Sequence, residues 1–251
     1  LLKGFQDNYL AAICPIKSDK NNKDSEQNLY SLSYCELSIG DFYFLDIKEE
    51  DLIDEISRIN PKEILIQDAG HAIENKTDNK TDLSNIITKH FNQIKITKLS
   101  KNSFENKNSH ARICDYSGLK HLNSLIDLAP KNSINACGAI LDYCEQTQKA
   151  QLTHLKLLKY DKTKDYLILD ANTREHLDID KTSTKNKENL ISIYQKTKTP
   201  MGARAFKNWI TRPLNNIEDI NSRQNSIEII TQSNFLDDIT KTLEPIIDIE
   251  R

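Results

Sequence analysis

Apolar positions change rhythm along the 251-residue chain. Tyr9-Leu-Ala-Ala-Ile-Cys14 is a continuous apolar run, the pattern of a strand covered on both faces. Leu29 to Leu37 alternates (Leu29, Leu32, Tyr34), and Ser38-Ile-Gly-Asp41 reads as a tight turn into Phe42-Tyr-Phe-Leu-Asp-Ile47. These segments predict three antiparallel strands. Glu49 to Ile59 has helical spacing (Leu52, Ile53, Ile56, Ile59), acids in its first turn, and a stop at Asn60-Pro61. Glu63 to Gln67 then reads as a fourth strand, Leu83 to Phe91 as a helix, Ile94 to Leu99 as a fifth strand, and Ser103 to Ile113 as a short helix or loop. Three strands followed by helix-strand-helix-strand predicts an α/β or α+β domain.

After Ser117 the pattern turns helical. Leu119, Leu122, Leu125, Ile126 and Ala129 form one stripe up to Pro130; Asn132 or Ser133 can cap a long helix carrying Ile134, Cys137, Ile140, Leu141 and Cys144. Tyr166 to Leu169 is a strand-like interruption, and Leu190 to Tyr194, Thr199 to Arg212, Ile217 to Thr231 and Phe235 to Leu243 complete a helical half. The predicted organisation is therefore an α/β domain over 1–130 and an all-α domain over 131–251. Polar loops are expected at 17–28, at 71–82, which holds two copies of Asn-Lys-Thr-Asp, and at 181–189.

One helix is marked at both ends. Thr199 can cap it, Pro200 suits its first position, and Pro213 stops it after Arg212. Met201, Ala205, Phe206, Trp209 and Ile210 lay an apolar stripe on one face, which predicts a buried scaffold helix with Trp209 in the core. Gly202, beside Ala203, predicts close approach of another helix backbone. Arg204, Lys207 and Arg212 fall mostly off the stripe and read as a solvated face balanced by acids, in preference to a phosphate-binding strip.

Composition removes several function classes. Apolar residues make up 37% and charged residues 28%, enough for a core with a well-solvated surface. The net charge of -3 argues against wrapping nucleic acid through a broad basic face. No apolar run reaches the length of a membrane span. Five cysteines without a Cys-x-x-Cys pair read as buried free thiols in a reducing cytosol, and Cys137 and Cys144 share one helix face. The chain opens Leu1-Leu-Lys-Gly, without a signal peptide or initiator methionine, and is read as a piece of a longer cytoplasmic protein.

Candidate chemistry is sparse. Six histidines (71, 90, 110, 121, 154, 176) lack zinc-motif spacing, and Cys114 with His121 is a weak nucleophile pair. Six scattered glycines offer no Gly-x-x-x-x-Gly-Lys to cradle a nucleotide phosphate. No catalytic, cofactor-binding or metal-binding residue is expected in these 251 residues.

The wording of the organising helix adds a resemblance. Thr197-x-Thr-Pro-Met-Gly-x-Arg204, then Trp209-Ile and Arg212-Pro-Leu214, resembles the start of the lever (core) domain of the MutS family of DNA mismatch repair ATPases. Asn8-Tyr-Leu-Ala-Ala-Ile13 resembles the opening strand of that family's connector domain. Asp142-Tyr-Cys-Glu-Gln-Thr-Gln148 resembles the first lever helix, Leu169-Asp-Ala-Asn-Thr-Arg-Glu-His-Leu177 the segment after it, and Asp248-Ile-Glu-Arg251 a later piece. The structural and motif residues carried by the resemblance are Thr199, Pro200, Met201, Gly202, Arg204, Trp209 and Pro213.

The resemblance implies an RNase H-like connector followed by the first part of the lever. It implies coupling of mismatched-DNA binding to an ATPase and to the partner MutL, with a homodimeric full-length protein that uses ATP and Mg²⁺. The Phe-x-Glu mismatch wedge and the ATPase lie outside these residues. An RNase H-like fold also raises a two-metal nuclease, for which Glu36, Asp46 and Asp68 are the carboxylates to test, although the first strand carries no acid. A non-catalytic protein-interaction module is the other alternative. The polar, repetitive stretch 68–82 departs from the family pattern, so partner contacts are not carried onto it.

Overall fold

The computed structural model describes residues 8–16, 29–68, 83–118, 134–148, 158–161, 166–180, 188–233 and 235–250. The predicted stripe at 119–129, the caps at 132–133 of the helix that follows it, and most of the polar loops lie outside these residues. The chain divides into two compact units, one over Asn8–Asp161 and one holding Lys162–Arg251 with Leu1–Asp7.

The first unit is built on a mixed six-stranded sheet: β1 (Tyr9–Ile16), β2 (Leu29–Glu36), β3 (Asp41–Lys48), β4 (Glu63–Gln67), β5 (Lys95–Leu99) and β6 (Lys159–Tyr160). Their order is β5-β4-β1-β2-β3-β6. The β1–β2 and β2–β3 pairs are antiparallel, as the alternation predicts, while β4 joins β1, β5 joins β4 and β6 joins β3 in parallel. Strands β1 and β4 read as unbroken apolar runs because both of their faces are buried. Ala11, Ile13, Leu32, Leu45, Ile64 and Ile66 point to one side, where α1 (Leu52–Ile59) and α2 (Leu83–His90) supply Leu52, Ile56 and Ile87. Leu10, Ala12, Cys14, Cys35, Phe44 and Leu65 point to the other, beneath α3 (Asn106–Ser117) and α4 (Asn135–Gln148).

Local chemistry sets the helix ends. Asn60 takes the left-handed conformation (φ 50°) and its amide donates to the Ile56 carbonyl, so α1 stops where Asn60-Pro61 predicts. Gly118 closes α3 at φ 66°.

Helix α4 corrects the predicted division at residue 130. Its periodicity reads as the opening of the helical half, yet Ala136, Cys137, Ala139, Ile140, Leu141 and Cys144 are all buried against the sheet. Small residues permit this. Ser31 and Ser33 in β2 are fully buried, and Gly138 lies so close to α3 that a Cβ there would sit 2.5 Å from the Ser109 Cα. The resembling segment Asp142–Gln148 is thus held inside the sheet unit: Arg112 of α3 pairs with Asp142 at 2.8 Å, and the Tyr143 hydroxyl donates to Glu63 of β4 at 3.0 Å. Helical periodicity shows that a face is apolar, but not which partner it covers.

The second unit contains α5 (Ala171–His176), α6 (Leu190–Tyr194), α7 (Pro200–Thr211), α8 (Ile217–Gln232) and α9 (Leu236–Leu243). Side-chain caps open most of these: Asp170 accepts from the Thr173 amide, Asn189 and Ser192 form a reciprocal capping box, and Asn216 accepts from the Glu218 and Asp219 amides. The strand-like stretch 166–169 forms only one antiparallel bridge, Tyr166 to Leu214. Among the described residues α8 and α9 bury none of their side chains.

Candidate functional site

The seven residues singled out in the sequence gather on α7 and its flanks. The Thr199 hydroxyl accepts from the Gly202 amide at 3.0 Å, and Pro200 stands in the first turn, where its missing N–H costs nothing. A Cβ on Gly202 would meet the Thr199 Oγ1 at 3.1 Å and Thr197 at 3.4 Å. The glycine therefore makes room for the helix's own cap, and not for a neighbouring helix as expected. The close helix approach is instead at Gly138.

The apolar stripe is not a buried core. Met201, Phe206 and Ile210 are half-buried, Ala205 is exposed, and Trp209 is 47% exposed. Trp209 lies under the Arg223 guanidinium, whose central carbon is 3.9 Å from the ring centroid. The α7 positions that are buried are Ala203 and Thr211. Past the helix, Arg212 stacks over Tyr166 at 4.2 Å, and the Leu167 amide donates to the Pro213 carbonyl at 2.8 Å. Pro213 thus ends the helix and anchors the chain that enters the unit.

Arg204 carries the strongest electrostatics. Its Nη1 and Nη2 donate to the two Asp248 carboxylate oxygens at 2.8 and 2.7 Å, and the same guanidinium also reaches Glu250. Hydrogen bonds to Asp248 push the Arg204 pKa above its ordinary value, so the charge is permanent. Lys198 pairs with Glu244 at 2.9 Å. Acids at 244–250 thus balance Lys198 and Arg204, but the Arg204 side chain is largely buried against them and not, as expected, on a solvated face. Such a site positions backbone segments, and none of these contacts aims a base at a nucleophile.

In the sheet unit the three carboxylates weighed for metal chemistry do not converge. Glu36 lies opposite Asp41, and Asp46 lies opposite Ser31. That register separates Glu36 from Asp46 by about 17 Å along the strands, at about 3.4 Å per residue. Asp68 follows β4, three strand spacings or about 14 Å from β3. Two-metal chemistry needs carboxylates around ions about 4 Å apart. Glu36 instead ties down a turn. Buried at the end of β2, it accepts from the Asn8, Ser38 and Ile39 amides at 3.0, 2.8 and 2.8 Å. Among the described residues no group of three metal-ligating side chains is gathered. His71, His121 and His154 lie outside those residues, and Cys114 sits 3.7 Å from His110 Nδ1.

The cysteines are free, with Cys14, Cys35, Cys137 and Cys144 buried and Cys114 half-buried. Desolvation pushes Cys14 and Cys137 up to about 12 and Cys144 up to about 11. Burial also raises the Glu63 pKa, but hydrogen bonds from Thr97, Lys95 and Tyr143 outweigh it and hold that carboxyl below its ordinary value.

A polar cluster in the sheet unit has no sequence signature. The Tyr34 hydroxyl donates to Asp161 Oδ2 at 2.6 Å, and Arg58 reaches the same oxygen at 3.1 Å and Glu55 at 2.7 Å. Tyr34 and Asp161 are 127 residues apart, beyond the reach of any periodicity.

Comparison with known proteins covers both units. The family profile of MutS domain II matches residues 8–156, and that of MutS domain III matches residues 172–251. The chain belongs to the MutS family. It is 33% identical over 235 residues to the DNA mismatch repair protein MutS of Clostridium novyi (strain NT), covering 90% of this chain and 24% of the relative. Against the protein of the same name from Petrotoga mobilis the identity is 31% over 229 residues, covering 89% of this chain and 26% of the relative. Against that of Ehrlichia chaffeensis it is 30% over 253 residues, covering all of this chain and 29% of the relative. The chain thus spans about a quarter of the length of the MutS proteins it matches. The two MutS profiles leave residues 157–171 between them, which brackets the change of unit after Asp161.

Proposed function

We propose that the chain is the connector and first lever segment of a MutS-type mismatch repair protein, coupling mismatched-DNA binding to an ATPase and to recruitment of a MutL-type partner. The observation that carries the reading is the collinear match of two consecutive MutS domains to two separately compact units. The sheet unit is read as RNase H-like: three antiparallel strands followed by two parallel ones on the far side of β1 support that assignment. A coupling role suits the site, because a capped helix tied by a bidentate ion pair to a distant segment passes a displacement along its length. ATP and Mg²⁺ belong to the proposed full-length protein. The scattered glycines and separated carboxylates of this chain do not fit either group, and no catalytic step is assigned to it. The full-length protein is proposed to be a cytoplasmic homodimer acting on mismatched duplex DNA.

The test compares the 251-residue chain with the full-length protein. The chain alone should hydrolyse no ATP and bind mismatched duplex weakly, with strong loss of binding as salt rises. Full-length protein lacking residues 8–161 should retain ATP hydrolysis and lose binding to the MutL-type partner. Tight heteroduplex discrimination by the chain alone, or full partner binding by the deleted protein, would overturn the reading. Mg²⁺-dependent cleavage of an RNA–DNA hybrid by the chain, abolished by Asp46→Asn, would favour the nuclease alternative.

A further inference from the structure

We infer that Asp161 is a tether that fixes the point where the chain leaves the sheet unit, and that its release lengthens the connection to the second unit. The inference rests on four groups that meet only in the folded unit. Asp161 is the last residue of the sheet unit. Its side chain is almost fully buried, accepts from the Tyr34 hydroxyl at 2.6 Å and pairs with Arg58 at 3.1 Å; its amide donates to the Phe44 carbonyl at 2.8 Å. Arg58 is fixed in turn by Glu55 at 2.7 Å and stands 5.5 Å from the centre of the Tyr34 ring, which stacks on Tyr43 at 5.1 Å.

The three residues before Asp161 are stitched to the same sheet. Leu158 is buried in the core beneath α3 and α4, Lys159 and Tyr160 pair with Tyr43 and Phe44, and the Tyr160 and Phe44 rings are 5.3 Å apart. Strand β6 is only two residues long, so backbone pairing alone holds it weakly. A short strand at the end of a sheet frays by local opening, unless a side-chain lock closes it. Asp161 supplies that lock at the one position beyond the strand, through buried Tyr34 on β2 and half-buried Arg58 on α1. Opening it would free Leu158–Asp161 and add up to about 13 Å of reach, at about 3.3 Å per extended residue. In a protein that couples domains, that slack would absorb motion that the locked connection transmits.

The test does not depend on the functional reading, since it measures local opening in the 251-residue chain. Hydrogen exchange is followed residue by residue in the wild type, Asp161→Asn and Tyr34→Phe. Tyr34→Phe keeps the ring stack and removes only the hydroxyl, which guards against a variant that fails to fold. The tether predicts that the Asp161 amide, which donates to the Phe44 carbonyl, exchanges at least ten-fold faster in both variants, while those of Ala12, Ile13, Leu32 and Leu65 keep their wild-type rates. Unchanged exchange at Asp161 would overturn the inference. So would equal acceleration across β1, β2 and β4, which would make Asp161 an ordinary contributor to global stability.

Discussion

Arg204 and Asp248 meet through two parallel hydrogen bonds of 2.8 and 2.7 Å, across 44 residues of sequence. Each stands in a different stretch that resembles the MutS family, and the pair makes the two stretches one object. The guanidinium fork matches the carboxylate in a way that a lysine ammonium cannot. Arg204→Ala should destabilise the second unit by about 2–3 kcal/mol, the worth of hydrogen bonds between charged partners. Arg204→Lys should recover only part of this. The check is a double-mutant cycle with Asp248→Asn, read by denaturant unfolding; additive losses would show that the pair does not act as a unit.

The two helical glycines are not equivalent. At Gly138 an added Cβ would press on the backbone of Ser109, 2.5 Å from its Cα, so α3 and α4 must part. Gly138→Ala should cost about 1–3 kcal/mol by overpacking. At Gly202 the nearest atoms are side-chain atoms of the cap at 3.1 Å and beyond, and alanine's better helix propensity offsets about 1 kcal/mol of the crowding. Melting temperatures of the two variants should therefore fall in the order Gly138→Ala well below Gly202→Ala.

The buried thiols predict an alkaline weakness. Folding favours their neutral form, with Cys14 and Cys137 raised from 9.0 to about 12 by desolvation. Above pH 9 the unfolded chain releases these protons and the folded chain keeps them, so the unfolded state binds fewer protons and stability falls as pH rises. Each such thiol removes about 1.4 kcal/mol per pH unit between the two values. Stability should be flat from about pH 7 to 8.5 and decline steeply from about 9 to 11, less steeply in Cys137→Ala. In native conditions at about pH 8 a thiol reagent should modify Cys114 first, and all five cysteines only after unfolding.

Trp209 is the chain's one tryptophan, and it reports on the second unit alone. With about half its surface in water and Arg223 stacked on its face, it should emit at long wavelength and be open to iodide quenching. Arg223→Gln should increase that quenching and cost about 0.5–1 kcal/mol, the size of an exposed cation–π contact. A blue-shifted, unquenchable emission would return Trp209 to a core.

Glu36 is an acceptor for three amides and the Ser38 hydroxyl at the turn after β2. Glu36→Gln would turn an amide group toward those N–H donors. The expected loss is about 2 kcal/mol in the sheet unit, measured by urea unfolding followed by far-ultraviolet dichroism.

Short-range physics made much of this protein legible from its residues. Tyr9 to Cys14 had to be a doubly covered strand because no residue in it favours water, and Asn60-Pro61, Thr199-Pro200 and Pro213 set helix ends through φ restrictions and caps that act within four residues. The resemblance in Thr197–Leu214 was legible for the same reason: its residues build one helix and its two termini. Contacts between distant residues settled the rest. An apolar stripe does not name its partner, so Asn135–Gln148 joined the sheet, through the small residues Ser31, Ser33 and Gly138, and not the helical half. The stripe on Pro200–Thr211 stayed partly in water while its arginine was drawn in against Asp248, because a bidentate ion pair outweighs a local preference that any exposed helix can satisfy. The meeting of Tyr34, Arg58 and Asp161 had no periodic trace at all: side chains 103 and 127 residues apart are brought together by strand order, which backbone pairing across the whole sheet determines.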